Sequence, residues 1–270
     1  MIHNRIFLEE GSQEVWLDTY LADPTPGYTR KAILVIPGGG YGTVCSDREG
    51  EPIALAFLPH GFNAFVLHYS VAADQRTFPA QLIQASRAMV HIRSHTAEYG
   101  IDPQKIFVTG FSAGGHLTAS LGILWHHKAV TETLDIPFGY NKPNGIIPVY
   151  PVISGVSEHR HLGSFQNLLG AEEPTRKQLE AVSLELQVDS RSAPAFIVHT
   201  ANDTLVPVQN SLLLADAYAR AGVPFELHVW PDSPHGVALG NAITACGDSN
   251  WIRPRIARWV AEAAAWTDEI

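Results

Sequence analysis

Gly110-Phe111-Ser112-Ala113-Gly114 fits the pattern G-x-S-x-G, in which a serine sits on a sharp turn from strand to helix. Such a turn forces the serine into a strained backbone conformation, and the flanking glycines remove side chains that would clash there. The hydroxyl is then held clear at a helix amino terminus, whose dipole favours developing negative charge. By chance alone the pattern recurs in about one chain in ten of this length, so its setting decides. Ile106 to Val108 reads as a buried strand, and Leu117, Leu121 and Leu124 follow at helical spacing. That context favours Ser112 as a nucleophile over a merely tight structural turn.

A serine nucleophile needs a base, and the base needs an orienting carboxylate. Of the 13 histidines, His235 alone follows the last strand, in a loop between Pro234 and Gly236. Two aspartates compete to orient it. Asp203 follows the apolar run Ala195 to Thr200 and is fixed by a strand end; Asp232, three residues before His235, is better placed to cap its own turn. Asp203 is the expected partner. His116, four residues after Ser112, is expected to make buried structural hydrogen bonds.

Upstream, Pro37-Gly38-Gly39-Gly40-Tyr41-Gly42 leaves backbone N–H groups free to approach a ligand. A phosphate fits poorly, because neither a Walker lysine nor G-x-G-x-x-G spacing is present. With a serine elbow downstream, an oxyanion hole is the better reading. Tyr41, at the end of the run, and His161 are the candidate substrate-binding side chains.

The elements that must position these groups follow from the hydrophobic pattern. Residues 5–8 and 13–21 read as an antiparallel edge hairpin, and Ala32 to Ile36 as a strand buried on both faces. Ser46 and Glu49 form a capping box for a helix running to about Pro59. Phe62 to Tyr69 is a strand, and Pro79 opens a long helix that Gly100 ends. Further strands are expected at 145–150, 195–200 and 225–230. A helix from about Val208 to Ala221 precedes the last of these, and a terminal helix carries Ile252, Ile256, Trp259 and Ala263 on one face. This alternation implies an α/β fold with a mostly parallel sheet covered by helices on both sides, built as one domain over residues 1–270. Residues 152–192 carry turns and two short helical stretches but no strand, and are expected to form a lid or substrate wall above the sheet.

No metal or other cofactor is expected. His91 and His95 are read as part of a solvated helix face, and His159-Arg160-His161 has no companion cysteine or carboxylate pattern. A net charge of −9 without a basic cluster argues against nucleic acid or an anionic membrane as partner. Cys45 and Cys246 are read as free thiols. The amino terminus lacks the apolar core of a signal peptide and no stretch approaches membrane-spanning length, so a soluble cytoplasmic protein is expected. Homo-oligomer formation stays open.

The order Ser, Asp, His is that of the α/β-hydrolases. The Pro37–Tyr41 and Gly110–His116 segments, Tyr150-Pro151-Val152, His199-Thr200-Ala201-Asn202-Asp203 and His235-Gly236 resemble the acetyl esterase/lipase branch of that superfamily. In particular they resemble bacterial enzymes that deacetylate xylan and its oligosaccharides. The resemblance spans roughly residues 30–260 and implies the α/β-hydrolase fold, with Ser112, Asp203 and His235 as triad and N–H groups of Gly39 or Gly40 and of Ala113 as oxyanion hole. Pro37 departs from the lipase-type H-G-G-G pattern, although that histidine does not itself donate to the oxyanion. The implied function is hydrolysis of short acyl esters of small molecules, acetylated sugars above all. An arylformamidase-like amidase shares the triad. A non-catalytic receptor on the same scaffold would have lost a triad member, and here all three stand.

Overall fold

The computed structural model describes residues 1–270. In chain order the strands are β1 (Arg5–Phe7), β2 (Trp16–Tyr20), β3 (Arg30–Ile36), β4 (Phe62–His68), β5 (Ile101–Phe111), β6 (Gly145–Val149), β7 (Ala195–Thr200) and β8 (Phe225–Trp230). The helices are α1 (Ser46–Glu49), α2 (Glu51–Phe57), α3 (Ala80–Ser94), α4 (Thr96–Tyr99), α5 (Ala113–Ile123), α6 (Lys128–Thr133), α7 (Leu162–Leu169), α8 (Arg176–Val182), α9 (Gln209–Ala221) and α10 (Trp259–Glu269). The strands form one sheet in the order β1-β2-β4-β3-β5-β6-β7-β8. β3 to β8 are parallel, and β1 and β2 are an antiparallel addition at the β4 edge. This is the α/β fold with a mostly parallel sheet that the alternation implies.

Strand periodicity explains how two cores are filled from one sheet. In β3, Ala32, Leu34 and Ile36 enter one core while Ile33 and Val35 enter the other. In β5, Ile106 and Val108 point one way and Phe107 and Phe111 the opposite way. The first core includes residues of α3, α5 and α9, and the second includes residues of α2 and α10. Phe107, with no exposed surface, packs against Phe62 and Trp266, so its truncation to alanine costs about 3–5 kcal/mol. That burial fixes the carboxyl end of β5, from which Ser112 hangs.

Several local expectations change. Cys45, not Ser46, precedes α1, and no capping box forms because the Glu49 side chain turns inward and is buried. The terminal helix starts at Trp259, leaving Ile252 outside it and partly exposed. His91 and His95 do not stand on a solvated face. Their rings stack at 4.1 Å, and His91 Nε2 lies 2.9 Å from the Tyr99 hydroxyl. Burial and the neighbouring His95 push His91 down to about 4, which keeps it neutral. Residues 152–192 contain α7 and α8 and no strand. No helix is long and apolar enough to cross a membrane.

Candidate active site

Ser112 adopts φ 53° and ψ −116°, between the end of β5 and the start of α5. Its neighbours show why the pattern needs glycine. A Cβ on Gly110 would stand 2.3 Å from Thr118 Oγ1, and one on Gly114 2.2 Å from the carbonyl oxygen of Ile36. The first turn of α5 is thus pressed against the end of β3. Ser112 N–H donates to Val149 O at 3.0 Å, and its carbonyl accepts from His116 and Val152. These bonds hold a conformation that costs on the order of 1–3 kcal/mol.

The structure brings Ser112, His235 and Asp203 into one chain of hydrogen bonds. His235 Nε2 lies 2.9 Å from Ser112 Oγ, and Nδ1 lies 2.6 Å from Asp203 Oδ2. Asp203 Oδ1 accepts from the N–H groups of Leu205 and Val206, on the turn after β7. Burial alone would raise the Asp203 pKa; bonds from His199, His235 and the Val206 N–H hold it well below the carboxylate range instead. An ionised Asp203 requires the proton of His235 on Nδ1, which leaves Nε2 to accept from the serine hydroxyl. Asp232 lies elsewhere, bonded to Asn202 at 2.6 Å and facing Arg253 at 3.8 Å on the surface.

His235 sits in an irregular segment and is held from several sides. Trp251 Nε1 donates to its carbonyl at 3.0 Å, and Arg48 donates to the carbonyl of Gly236 at 3.1 Å. The Arg48 guanidinium also lies 4.2 Å over the Trp251 ring. On the other side Tyr150 meets the imidazole edge-on, with ring centroids 5.0 Å apart.

The glycine run lies beside the serine, since a Cβ on Gly38 would be 3.1 Å from Ser112 Cβ. All three glycine carbonyls are tied down: Gly38 O accepts from Cys45 N, Gly39 O from Gly42 N and Thr43 N, and Gly40 O from Asn167 Nδ2 at 2.8 Å. Because N–H and C=O of one peptide point in opposite directions, the N–H groups that follow face away from these anchors. The N–H groups of Gly39 and Gly40 donate to no protein acceptor. Positive φ at both, 125° and 63°, shapes the loop in a way that glycine accommodates without strain. Ala113 opens α5, where the first N–H groups have no intrahelical acceptor.

Tyr41 is not a wall of this site. Its φ of 57° turns the ring into the core, 1 % exposed, with the hydroxyl 2.8 Å from His116 Nδ1. His116 gives its other nitrogen to Val182 O at 2.8 Å, and burial pushes it down to about 4. It is the buried hydrogen-bonding residue expected. His161 is half-buried and bonded to Ser164 Oγ at 2.8 Å. Burial and the neighbouring His235 lower its pKa while Asp203 opposes them, so all three share one electrostatic neighbourhood.

Glu49 was hidden from sequence reasoning by the capping pattern. It is buried, with Oε2 accepting the Gly38 N–H and Oε1 the Tyr150 hydroxyl, both at 2.8 Å. Arg48 and Trp251 carried no sequence signal at all.

The BD-FAE family model matches residues 17–218. Endo-1,4-beta-xylanase B of Butyrivibrio fibrisolvens is 40 % identical over 218 residues, which are 78 % of this chain and 33 % of the xylanase. An acetylxylan esterase of Xylanibacter ruminicola is 30 % identical over 215 residues, covering 78 % of this chain and 42 % of that protein. The chain therefore spans between a third and a half of these curated relatives. The crystal structure of an acetyl ester-xyloside bifunctional hydrolase from Caldicellulosiruptor lactoaceticus superposes with a TM-score of 0.83 at 34 % identity. That match covers 98 % of this chain and 96 % of the other.

Proposed function

Because the chain belongs to the BD-FAE family of α/β-hydrolases, we propose that it is an esterase that removes short acyl groups, acetyl above all, from sugars through an acyl-enzyme on Ser112. Ser112 Oγ attacks the ester carbonyl as its proton passes to His235 Nε2, and Asp203 stabilises the imidazolium that forms. The tetrahedral oxyanion receives the N–H groups of Gly39, Gly40 and Ala113. His235 then protonates the departing alcohol, and water released from its own proton by the same imidazole cleaves the acyl-serine. The observation that carries this reading is the continuous contact from Asp203 to His235 to Ser112, at 2.6 and 2.9 Å.

The alcohol side is read from α7 and its approach. His161 and Asn167, both half-buried, offer hydrogen-bonding groups beside the glycine loop, with Ser164 buried against His161. Polar groups there suit a hydroxyl-rich alcohol better than a long acyl chain, where each buried methylene contributes about 0.8 kcal/mol only against apolar surface. The relatives that act on acetylated xylan or xylosides support the same substrate class. Segment 152–192 then serves as the substrate wall, with His161 contacting the alcohol.

The test is a series of p-nitrophenyl esters together with acetylated xylo-oligosaccharides. kcat/KM should fall steeply from acetyl to butyryl to octanoyl, and acetate release from the oligosaccharide should exceed fatty-acid release from triglyceride. A preference for octanoyl or longer chains would overturn the substrate class and leave the triad standing.

A further inference from the structure

Glu49 is an ionisable group with no exposed path to water, placed where catalysis gives it no evident task. Its two hydrogen bonds reach opposite halves of the site. Oε2 accepts the N–H of Gly38, where the oxyanion loop begins, and Oε1 accepts the hydroxyl of Tyr150. That hydroxyl in turn accepts from Ala238 N–H at 3.1 Å, and the Tyr150 ring meets His235 edge-on. The backbone of Tyr150, at φ 36°, is itself left-handed, so the ring is held in this position at some cost.

We propose that Glu49 is a positioning residue of the active site, a buried carboxylate that sets the oxyanion loop through Gly38 and the histidine loop through Tyr150 while facing His235 with negative charge. This rests on the reading of Ser112, His235 and Asp203 as the catalytic groups.

Proton counting supports the carboxylate. The Gly38 N–H can only donate, and Tyr150, whose oxygen already accepts from Ala238, directs its own proton to Glu49. A neutral Glu49 would bring a third proton to a place with no further acceptor. Burial nevertheless pushes its pKa up, opposed by the bonds from Tyr150 and Gly38 and by His235 and Arg48. Arg48 makes only a long ion pair with it, at 4.0 Å, and donates its hydrogen bond to Gly236 while stacking on Trp251. Cys45 and Tyr69 also face Glu49, and both are pushed up first by burial and then by its charge. The charged or titratable groups around His235 are Asp203, Glu49, His161 and Tyr150, with Arg48 behind the Gly236 carbonyl and His199 behind Asp203. Glu49 therefore adds a second anion to the one that orients the imidazole, and the imidazolium formed during acylation is the species it favours.

Glu49→Gln separates charge from contact. The amide keeps an acceptor for Gly38 and turns Tyr150 from donor to acceptor, while the charge is gone. With p-nitrophenyl acetate, kcat should fall about 10- to 100-fold with KM nearly constant. The acid limb of kcat/KM should move to lower pH, because the imidazolium has lost a negative neighbour. Tyr150→Phe cuts the same tie from the other end, and should also lower kcat at constant KM. The double variant should be no worse than the more damaging single one. Wild-type kcat in either single variant, a loss in the glutamine variant with an unmoved acid limb, or additive losses would each overturn the proposal. Fluorophosphonate labelling of the wild type separates the two levels. An adduct on a serine other than Ser112 removes the catalytic reading and this inference together, whereas a correct adduct with an unimpaired glutamine variant removes the inference alone.

Discussion

Asn167 Nδ2 lies 2.8 Å from the carbonyl oxygen of Gly40, a contact that joins α7 to the glycine loop proposed as oxyanion hole, across 127 residues. The segment above the sheet is therefore more than a cover. By fixing that carbonyl it fixes the peptide that follows Gly40, and with it the curvature that leaves the Gly39 and Gly40 N–H groups free. Asn167→Leu should lower kcat by about 10-fold or more, because a displaced donor forfeits part of a contribution worth 10²–10³ when lost outright. Single-turnover acylation rates should carry the whole loss. An unchanged acylation rate would show that the loop holds its shape without Asn167.

Ser112→Ala should lower kcat by on the order of 10⁶. A fluorophosphonate should attach to the wild type and leave this variant unlabelled. Peptide mass spectrometry locates the adduct.

Asp203→Asn keeps the shape of the side chain but favours the wrong imidazole tautomer, so kcat should fall by about 10⁴. Asp232→Asn touches only the surface contacts to Asn202 and Arg253 and should change kcat less than about 2-fold. Reversed losses would reassign the carboxylate.

Stability should report the cost of Glu49. Its pKa is raised in the folded state, chiefly by burial, so folding favours the protonated form. The associated stabilisation is complete below the unfolded carboxylate value of about 4.3 and is lost as pH rises through the folded value. Between about pH 4 and pH 8 the wild type should therefore lose melting temperature relative to Glu49→Gln, by about 2–4 °C for each kcal/mol. Thermal melts of both proteins across that range decide it, and a gap that stays constant or moves the other way would contradict the sign.

How much of this was legible in the sequence depended on whether the cause was local. The serine elbow could be read because backbone crowding at Gly110 and Gly114 leaves few alternatives to glycine. Asp203 was legible from its place after a buried strand, and the order of strands and helices followed from hydrophobic periodicity. Tyr41 was misread because the direction of its side chain is set by a left-handed backbone and by His116, 75 residues away. Ser46 and Glu49 satisfied a local capping pattern that lost to partners 11 and 101 residues away. His91 and His95 had the spacing of a helix surface, and only Tyr99 packing beside them closes that surface off.

The sheet order has a consequence in time. β5, β6, β7 and β8 join the sheet in the sequence in which they occur along the chain, and β8 pairs only with β7. Ser112 hangs from the first of these strands and His235 follows the last, 123 residues later. A chain that grows from its amino terminus therefore has the strand-to-helix turn of Ser112 before the histidine proposed as its base, and on that reading stays chemically silent until the final edge strand docks. Such long-range pairing is slow to form. The return of hydrolysis during refolding consequently requires β8 and its loop to be in place, and cannot precede them.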